Sequence, residues 1–305
     1  MTAVEPVARG AALDVPSGRP AALETPGPGD PRIARFSLNQ ATTKHIGLVE
    51  AVEVCRRAGV PAIGVWRDRL HEVGLEAAVR LLREAGLRVS TLCRGGFLTA
   101  SGAEERAEAL RDNRLAIDEA AALGTGTLVM VVGGLPAGSK DLPGARQRVV
   151  DAVGELAPYA GERGVRLALE PLHPMYVADR AVISTLGQAL DIAEQFPLEQ
   201  VGVTVDTFHV FWDPEVERQI ARAGARIATY QVCDWITPLP ADTLLARGMM
   251  GDGHIDFGSI SRAVHAAGYR GDVETEIFHA DVWAADPDEV VATVLRRYVE
   301  HVLVG

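Results

Sequence analysis

The feature that most restricts the fold of this sequence is an eightfold alternation of short apolar runs and amphipathic stretches, which begins at Arg32. Six of the amphipathic stretches end in a glycine a few residues before the next apolar run, where a helix C-cap belongs. Eight strand–helix repeats are typical of a (β/α)₈ barrel. A doubly wound sheet is the alternative, and the absence of a G-x-G-x-x-G turn after the first strand argues against it. The predicted strands are Ala34–Leu38, Ala62–Trp66, Arg88–Cys93, Thr127–Val132, Arg166–Glu170, Gly202–Asp206, Arg226–Cys233 and Asp272–Ile277.

The N-terminal residues differ from this pattern. Six prolines and four glycines interrupt any helical or strand period in residues 1–31, which we predict to be a disordered tail. Acidic residues and the lack of a continuous apolar stretch argue against a transit peptide or a secretory signal. Residues 32–305 are close in number to the roughly 250 residues of a typical barrel, so we expect them to form one domain.

Charge, hydropathy and cysteine content limit the partners of the chain. With 41 acidic and 30 basic residues the net charge is -11, which argues against binding to nucleic acid. No apolar run approaches the roughly 20 residues of a membrane span, so no membrane association is expected. Three cysteines are too few for a disulfide scaffold and favour the cytoplasm. A small molecule is therefore the expected partner, and a homo-oligomer remains open.

Four consecutive predicted strands end in a polar side chain that faces the barrel axis. Chemistry in such barrels lies at the carboxyl ends of the strands, and the alternation of side chains turns Glu170, Asp206 and Gln231 inward. The last strand offers Glu274 or Glu276 in the same phase. A single carboxylate at a strand end is usually an ion pair or a helix cap, but three that converge repel each other unless a cation lies between them. The oxygen ligands predict a hard divalent ion such as Mn²⁺ or Mg²⁺ rather than Zn²⁺.

Five motifs follow one another along the predicted strand ends and loops from the fifth strand onward. They are L-A-L-E-P-L-H-P (167–174), V-T-V-D-T-F-H (203–209), Y-Q-V-C-D-W (230–235), G-D-G-H-I-D-F (251–257) and G-Y-R-G-D-V-E-T-E-I-F (268–278). In this order they resemble the xylose-isomerase-like TIM-barrel superfamily of sugar phosphate isomerases and epimerases. Ketose 3-epimerases, inosose dehydratases, 3-dehydroshikimate dehydratases and endonuclease IV belong to the same group. The resemblance covers roughly residues 35–302.

The resemblance implies four metal ligands: Glu170, Asp206, Gln231 and Glu276. Glu276 is favoured over Glu274 because the ligand of the family directly precedes a pair similar to Ile277-Phe278. Most sugar epimerases of the group look as if they use histidine where this chain has Gln231, and glutamine there is similar to the 3-dehydroshikimate dehydratases. The expected ion is Mn²⁺, with Mg²⁺ or Co²⁺ as alternatives.

Such a site implies a divalent-metal-dependent sugar isomerase or epimerase. Glu170 and Glu276 would remove and return a proton next to a carbonyl through a metal-stabilised enediolate. The alternative, which Gln231 favours, is a lyase that dehydrates a cyclic keto-polyol or a 3-dehydroshikimate-like acid. A DNA-repair endonuclease of this fold would need a basic groove and more than the eight histidines present. A barrel that has lost its activity is a further alternative, against which the intact ligand set argues.

Further side chains are predicted to contact the substrate, which we expect to be a small sugar, a polyol or a keto-acid. His209 would bind a substrate oxygen or carry a proton as a catalytic residue, and His173 is interpreted as substrate-binding. Arg247 suits a carboxylate or phosphate. Trp66 and Trp235 would form an apolar wall against a ring. Recognition of a phosphate group stays open, because the predicted loops carry cationic side chains but no Gly-rich cradle: Arg67, Arg94, Lys140 and Arg180.

Overall fold

Eight parallel strands close into a barrel in the computed structural model, which describes residues 24–303. Each strand pairs with the next barrel strand along the chain, and the first pairs with the last. A short antiparallel pair, β8 (Asp234–Trp235) and β9 (Arg247–Gly248), lies outside the barrel. The predicted (β/α)₈ barrel is therefore confirmed. The barrel strands are β1 (Phe36–Asn39), β2 (Ala62–Trp66), β3 (Arg88–Gly96), β4 (Thr127–Val131), β5 (Arg166–Leu169), β6 (Val201–Asp206), β7 (Ile227–Val232) and β10 (Val273–Thr275).

The helices end where the sequence places their stop signals. Gly59 and Gly124 follow the first and fourth helices with φ of 72° and 75°, a left-handed conformation that glycine adopts without steric cost. The α-helices are α1 (Leu48–Ala58), α2 (Arg67–Val73), α3 (Leu75–Glu84), α4 (Ala103–Leu123), α5 (Leu142–Glu162), α6 (Leu186–Ala193), α7 (Thr207–Val210), α8 (Val216–Ala223), α9 (Phe257–Ala266), α10 (Ala280–Ala284) and α11 (Pro287–Arg297).

The hydrophobic core lies between the strands and the surrounding helices. In β5 Leu167 and Leu169 are fully buried, and in β6 Val203 and Val205 are fully buried as well. Burial of such apolar side chains contributes roughly 1.5–3 kcal/mol each. This packing fixes the strands, so the side chains of alternate phase are held in the interior of the barrel.

The segment before the barrel is described only in part. Residues 1–23 of the predicted tail lie outside the described residues. Pro26 is buried, and Asp30 caps the short helical turn Pro31–Ile33 and pairs with Arg32 at 2.5 Å. The boundary at residue 31 stays a prediction. Within residues 24–303, no helix has both the length and the hydropathy that crossing a membrane requires.

Candidate metal and substrate site

A cavity of about 210 Å³ opens at the carboxyl ends of the barrel strands. Its lining includes Trp66 at the end of β2, Glu170 directly after β5 and Glu276 directly after β10. This volume is below the roughly 300–1,000 Å³ of pockets for drug-sized ligands and therefore suits a small substrate. A larger cavity of about 600 Å³ lies at the opposite end, where Asp272 is paired with Arg88 at 2.5 Å. The smaller cavity is the candidate site because barrel chemistry occurs at the carboxyl ends of strands.

Buried acidic groups meet at the floor of this cavity. Glu170, Asp206 and His209 each offer a ligand atom, and these atoms lie within 4.8 Å of one another. Glu276 joins them through Arg247, whose Nη1 donates to Asp206 Oδ2 at 2.9 Å and to Glu276 Oε2 at 3.1 Å. We call Glu170, Asp206 and Glu276 the carboxylate cluster. The sequence predicts these three carboxylates together, and it predicts His209 as a substrate-binding or proton-carrying residue, whereas the structure brings His209 among the ligand atoms.

Burial perturbs the carboxylates strongly. It raises the pKa of Glu170 well above its ordinary value, and the charges of Glu276 and Asp206 raise it further. Burial raises the pKa of Glu276 to about 8, although the charge of Arg247 acts in the opposite direction. One guanidinium thus faces three carboxyl groups, an arrangement that favours a second cation or a bound proton.

Arg247 reaches the carboxylate cluster because a short hairpin holds it there. It is the first residue of β9 and pairs with Trp235 of β8. Asp234 fixes the following loop by accepting backbone N–H groups of Gly251, Gly253 and Ile255 at 2.9, 2.8 and 3.1 Å. The structure therefore places Arg247 in contact with the predicted metal ligands, with its Nη2 at 3.1 Å from His209 Nε2.

The two ring nitrogens of His209 both face hydrogen-bond donors. Its Nδ1 accepts the backbone N–H of His173 at 3.1 Å. Its Nε2 lies 3.1 Å from Arg247 Nη2, a group that can only donate, and 3.8 Å from Asp206 Oδ2. Burial, followed by the charge of Arg247, lowers the pKa of His209 well below its ordinary value. His209 is consequently an uncharged imidazole at neutral pH.

Of the aromatic rings predicted to bind the substrate, one lines the cavity and two pack beside it. Trp66 lines the cavity, and its indole nitrogen donates to Asn39 Oδ1 at 2.8 Å. His173 and Trp235 instead stack on each other, with ring centroids 4.7 Å apart, and are not in the described cavity lining. Burial lowers the pKa of His173. These two residues support the wall behind His209.

Gln231 lies in β7, in register with Asp206 of β6 and with Glu274 of β10. Its Nε2 donates to Glu274 Oε1 at 2.9 Å. Its Oε1 is buried and has no hydrogen-bond partner among the described residues. Glu170, Asp206 and His209 offer ligand atoms close enough for one ion, and a buried carbonyl oxygen without a protein partner is also a ligand type that a hard divalent cation accepts. The set Glu170, Asp206, Gln231 and Glu276 stays a prediction.

Cationic side chains complete the cavity lining. Arg94 and Arg180 both face it, as does Lys44. Sequence reasoning grouped Arg94 with Arg67, but Arg67 is engaged by Glu119 at 2.6 Å and does not line the cavity. Lys44 had no sequence signal, since it lies in the loop between β1 and α1 outside any motif.

Sequence comparison finds relatives that are named for two different enzyme activities. The chain is 31% identical over 189 residues to a 3-dehydroshikimate dehydratase of Pseudomonas putida, with 59% of this chain and 28% of that protein covered. It is 27% identical over 156 residues to an inosose isomerase of Bacillus subtilis, with 50% and 54% covered. The matched regions thus span less than two thirds of the length of these relatives, which are enzymes of different reaction types.

Solved structures and a family profile cover more of the chain. Protein SMc04130 of Sinorhizobium meliloti is 49% identical with a TM-score of 0.85, covering 88% of this chain and 98% of that one. The zinc-bound IolI protein is 22% identical with a TM-score of 0.77, covering 88% and 98%, a likeness that shows the fold. A sequence profile described as xylose isomerase-like TIM barrel matches residues 44–299. The chain belongs to the xylose isomerase-like TIM barrel family.

Proposed function

We propose that this protein is a divalent-metal-dependent isomerase or epimerase of a small sugar or polyol. The observation that carries the proposal is the carboxylate cluster together with the unpartnered Oε1 of Gln231. In this proposal Glu170, Asp206, Gln231 and Glu276 hold the ion. We favour Mn²⁺ because the ligands are oxygen atoms, with Mg²⁺ or Co²⁺ as alternatives; IolI, which has this fold, binds zinc. When bound, such an ion would supply Lewis-acid polarisation of a substrate carbonyl and stabilisation of the negative charge left by proton loss.

The residues of the chain move the proton. Glu170 and Glu276 are the catalytic acid and base, and each carboxyl group has a raised pKa. A carboxyl group beside the reacting carbon can take up the proton and return it as a general acid–base catalyst. With the two groups acting on opposite faces of one carbon the outcome is epimerisation, and with one face used for both transfers it is isomerisation.

Other residues bind and orient the substrate. His209 binds one substrate oxygen, and Arg247 binds a second one. Trp66 forms an apolar wall of the cavity, against which a sugar ring packs. His173 fixes the ring of His209 through its backbone, and Trp235 packs against His173. The three described cysteines are buried and unpaired, which is consistent with a cytoplasmic protein.

The second candidate is a lyase that removes water from a keto-acid. Two observations favour it. Gln231 replaces the histidine expected of a sugar epimerase, and the cavity carries the cations Lys44, Arg94 and Arg180, which suit a carboxylate. The relative at 31% identity is a dehydratase.

Incubation in D₂O distinguishes the two reactions. The protein is loaded with Mn²⁺ and offered ketoses, inososes and cyclic keto-acids, and the products are analysed by NMR and mass spectrometry. Deuterium exchange without loss of water supports the isomerase or epimerase, and loss of water supports the lyase. Glu170→Gln and Glu276→Gln should abolish turnover, whereas Glu217→Gln, an exposed residue of α8, should retain it. Full turnover by both active-site variants would refute the acid–base assignment.

A further inference from the structure

Glu274 is a buried carboxylate that the proposed reaction does not use. It lies in β10 two residues before Glu276 and is fully buried in the barrel interior. Its oxygens accept hydrogen bonds from Asn39 Nδ2 at 2.6 Å, Ser90 Oγ at 2.5 Å and Thr91 Oγ1 at 2.8 Å. The fourth partner is Gln231 Nε2 at 2.9 Å, and Gln231 is in register with Asp206 of the carboxylate cluster.

The surroundings of Glu274 hold its carboxylate in place. Burial raises its pKa, and the hydrogen bonds from its partners oppose that effect. Gly64 of β2 leaves the space that the group occupies, because a Cβ there would lie 2.6 Å from Glu274 Cδ. Donors on β1, β3 and β7 together with this close backbone contact fix both the position and the rotation of the carboxylate.

The chemistry of the two side chains then decides which way Gln231 points. An ionised carboxylate only accepts hydrogen bonds, so the end of the amide that faces Glu274 must be the NH₂ group. The carbonyl oxygen is consequently turned away from Glu274, and it is this atom that lacks a partner among residues 24–303. With the amide reversed, an NH₂ group that has no lone pair for a cation would take the place of this free oxygen.

We propose that Glu274 is a positioning residue that orients the Gln231 carbonyl as a metal ligand. The inference rests on the proposed function, since it concerns the ion of that site. The two residues act as one unit, in which the carboxylate of Glu274 never touches the ion. Loss of an outer partner of a metal ligand typically weakens metal binding by roughly 10–100-fold.

Calorimetric titration of the full chain with Mn²⁺ tests this inference without using activity. Glu274→Gln should weaken binding by roughly 10–100-fold, because a glutamine at 274 also donates and lets the amide of Gln231 turn over. The double variant Gln231→Glu with Glu274→Gln should regain most of the lost affinity. Both ends of a glutamate at 231 are oxygen atoms, so its orientation no longer matters, and the pair keeps its total charge.

Two further variants separate positioning from stability. Glu119→Gln neutralises another buried carboxylate, which binds Arg67 and His71 away from the cavity, and should lower the melting temperature while leaving Mn²⁺ affinity unchanged. Gly64→Ala displaces Glu274 without changing any charge and should weaken Mn²⁺ binding, which keeps the test open if Glu274→Gln does not fold.

The outcomes are distinguishable. A wild-type chain that binds no divalent ion would overturn the proposed function and this inference with it. Wild-type binding with equal affinity in Glu274→Gln, or in Gly64→Ala where the first variant is unfolded, would overturn the inference alone. A double variant that binds no more tightly than Glu274→Gln would also overturn it, because charge or folding would then account for the loss.

Discussion

Replacing Arg247 with methionine tests whether a cation belongs at the carboxylate cluster. The guanidinium lies 2.9 Å from Asp206 Oδ2 and 3.1 Å from Glu276 Oε2, and all three side chains are buried. Removing one partner of a buried ion pair costs about 3–5 kcal/mol, because the remaining charge is left without compensation. We therefore expect Arg247→Met to lose about 3–5 kcal/mol of unfolding free energy in metal-free buffer. That is a large share of the roughly 5–15 kcal/mol of a typical domain.

The same substitution should increase the stabilisation that divalent ions provide. In the wild type an ion competes with the guanidinium for oxygens of Asp206 and Glu276, and in the variant this competitor is gone. An ion present at 100 times its Kd adds about 2.7 kcal/mol to the unfolding free energy. A tighter Kd at the same ion concentration therefore means a larger gain for Arg247→Met than for the wild type.

Urea denaturation with Mn²⁺ or with a chelator measures both effects. Arg67→Met is the matched control, since Arg67 bridges Asp112 at 2.9 Å and Glu119 at 2.6 Å outside the cavity. It should lose stability as well, but Mn²⁺ should not stabilise it more than the wild type. Equal gains from Mn²⁺ in the wild type and in Arg247→Met would refute the view that the arginine and the ion share one place.

Three further predictions concern the loop, the cavity cations and the ion. Asp234→Asn should lower the unfolding free energy, measured by urea denaturation, by about 3 kcal/mol. The amide NH₂ group cannot accept the backbone N–H groups of Gly251 and Gly253, and each lost hydrogen bond contributes about 1.5 kcal/mol. A loss below about 1 kcal/mol would contradict this role. Arg94→Met should raise the KM of an anionic substrate roughly 10-fold with kcat little changed, and an equal effect on a neutral substrate would exclude charge recognition. Chelation should abolish turnover and added Mn²⁺ should restore it, and activity that survives exhaustive chelation would argue against a metal enzyme.

The sequence predicts the barrel and the strand ends well because both depend on short periods. Alternation of side chains along β5 and β6 puts Glu170 and Asp206 in the interior once the apolar phase is packed against helices. The same period cannot separate Glu274 from Glu276, since residues two apart share a phase. The structure separates them by depth: Glu274 is held by Asn39 inside the barrel, whereas Glu276 lines the cavity.

Contacts made by irregular segments were not predictable in this way. Arg247 enters the carboxylate cluster because β8 and β9 pair and because Asp234 gathers the backbone N–H groups of the next loop. Neither the pairing of β8 with β9 nor the loop contacts of Asp234 follow from a periodic pattern in the sequence. Arg94 and Arg180 stand 86 positions apart, as their numbers show, and come to one cavity only through barrel closure.

The unsatisfied polar atoms of the barrel identify its functional end independently of any motif. Among residues 24–303, each buried side-chain atom without a hydrogen-bond partner belongs to a residue at or beyond the carboxyl end of a barrel strand. Leaving one buried polar atom unpaired costs about 1–3 kcal/mol of folding free energy. A bound ion and a bound substrate can offset this cost for unpaired atoms at the carboxyl ends of the strands. Both oxygens of Glu274 accept hydrogen bonds, whereas the Oε1 of its partner Gln231 has none among the described residues. The Gln231 amide is therefore hydrogen-bonded to the barrel interior at one end and free to bind a ligand at the other. The residues concerned are Gln40, Thr43, Arg69, Arg180, Gln231, Arg247 and Thr275.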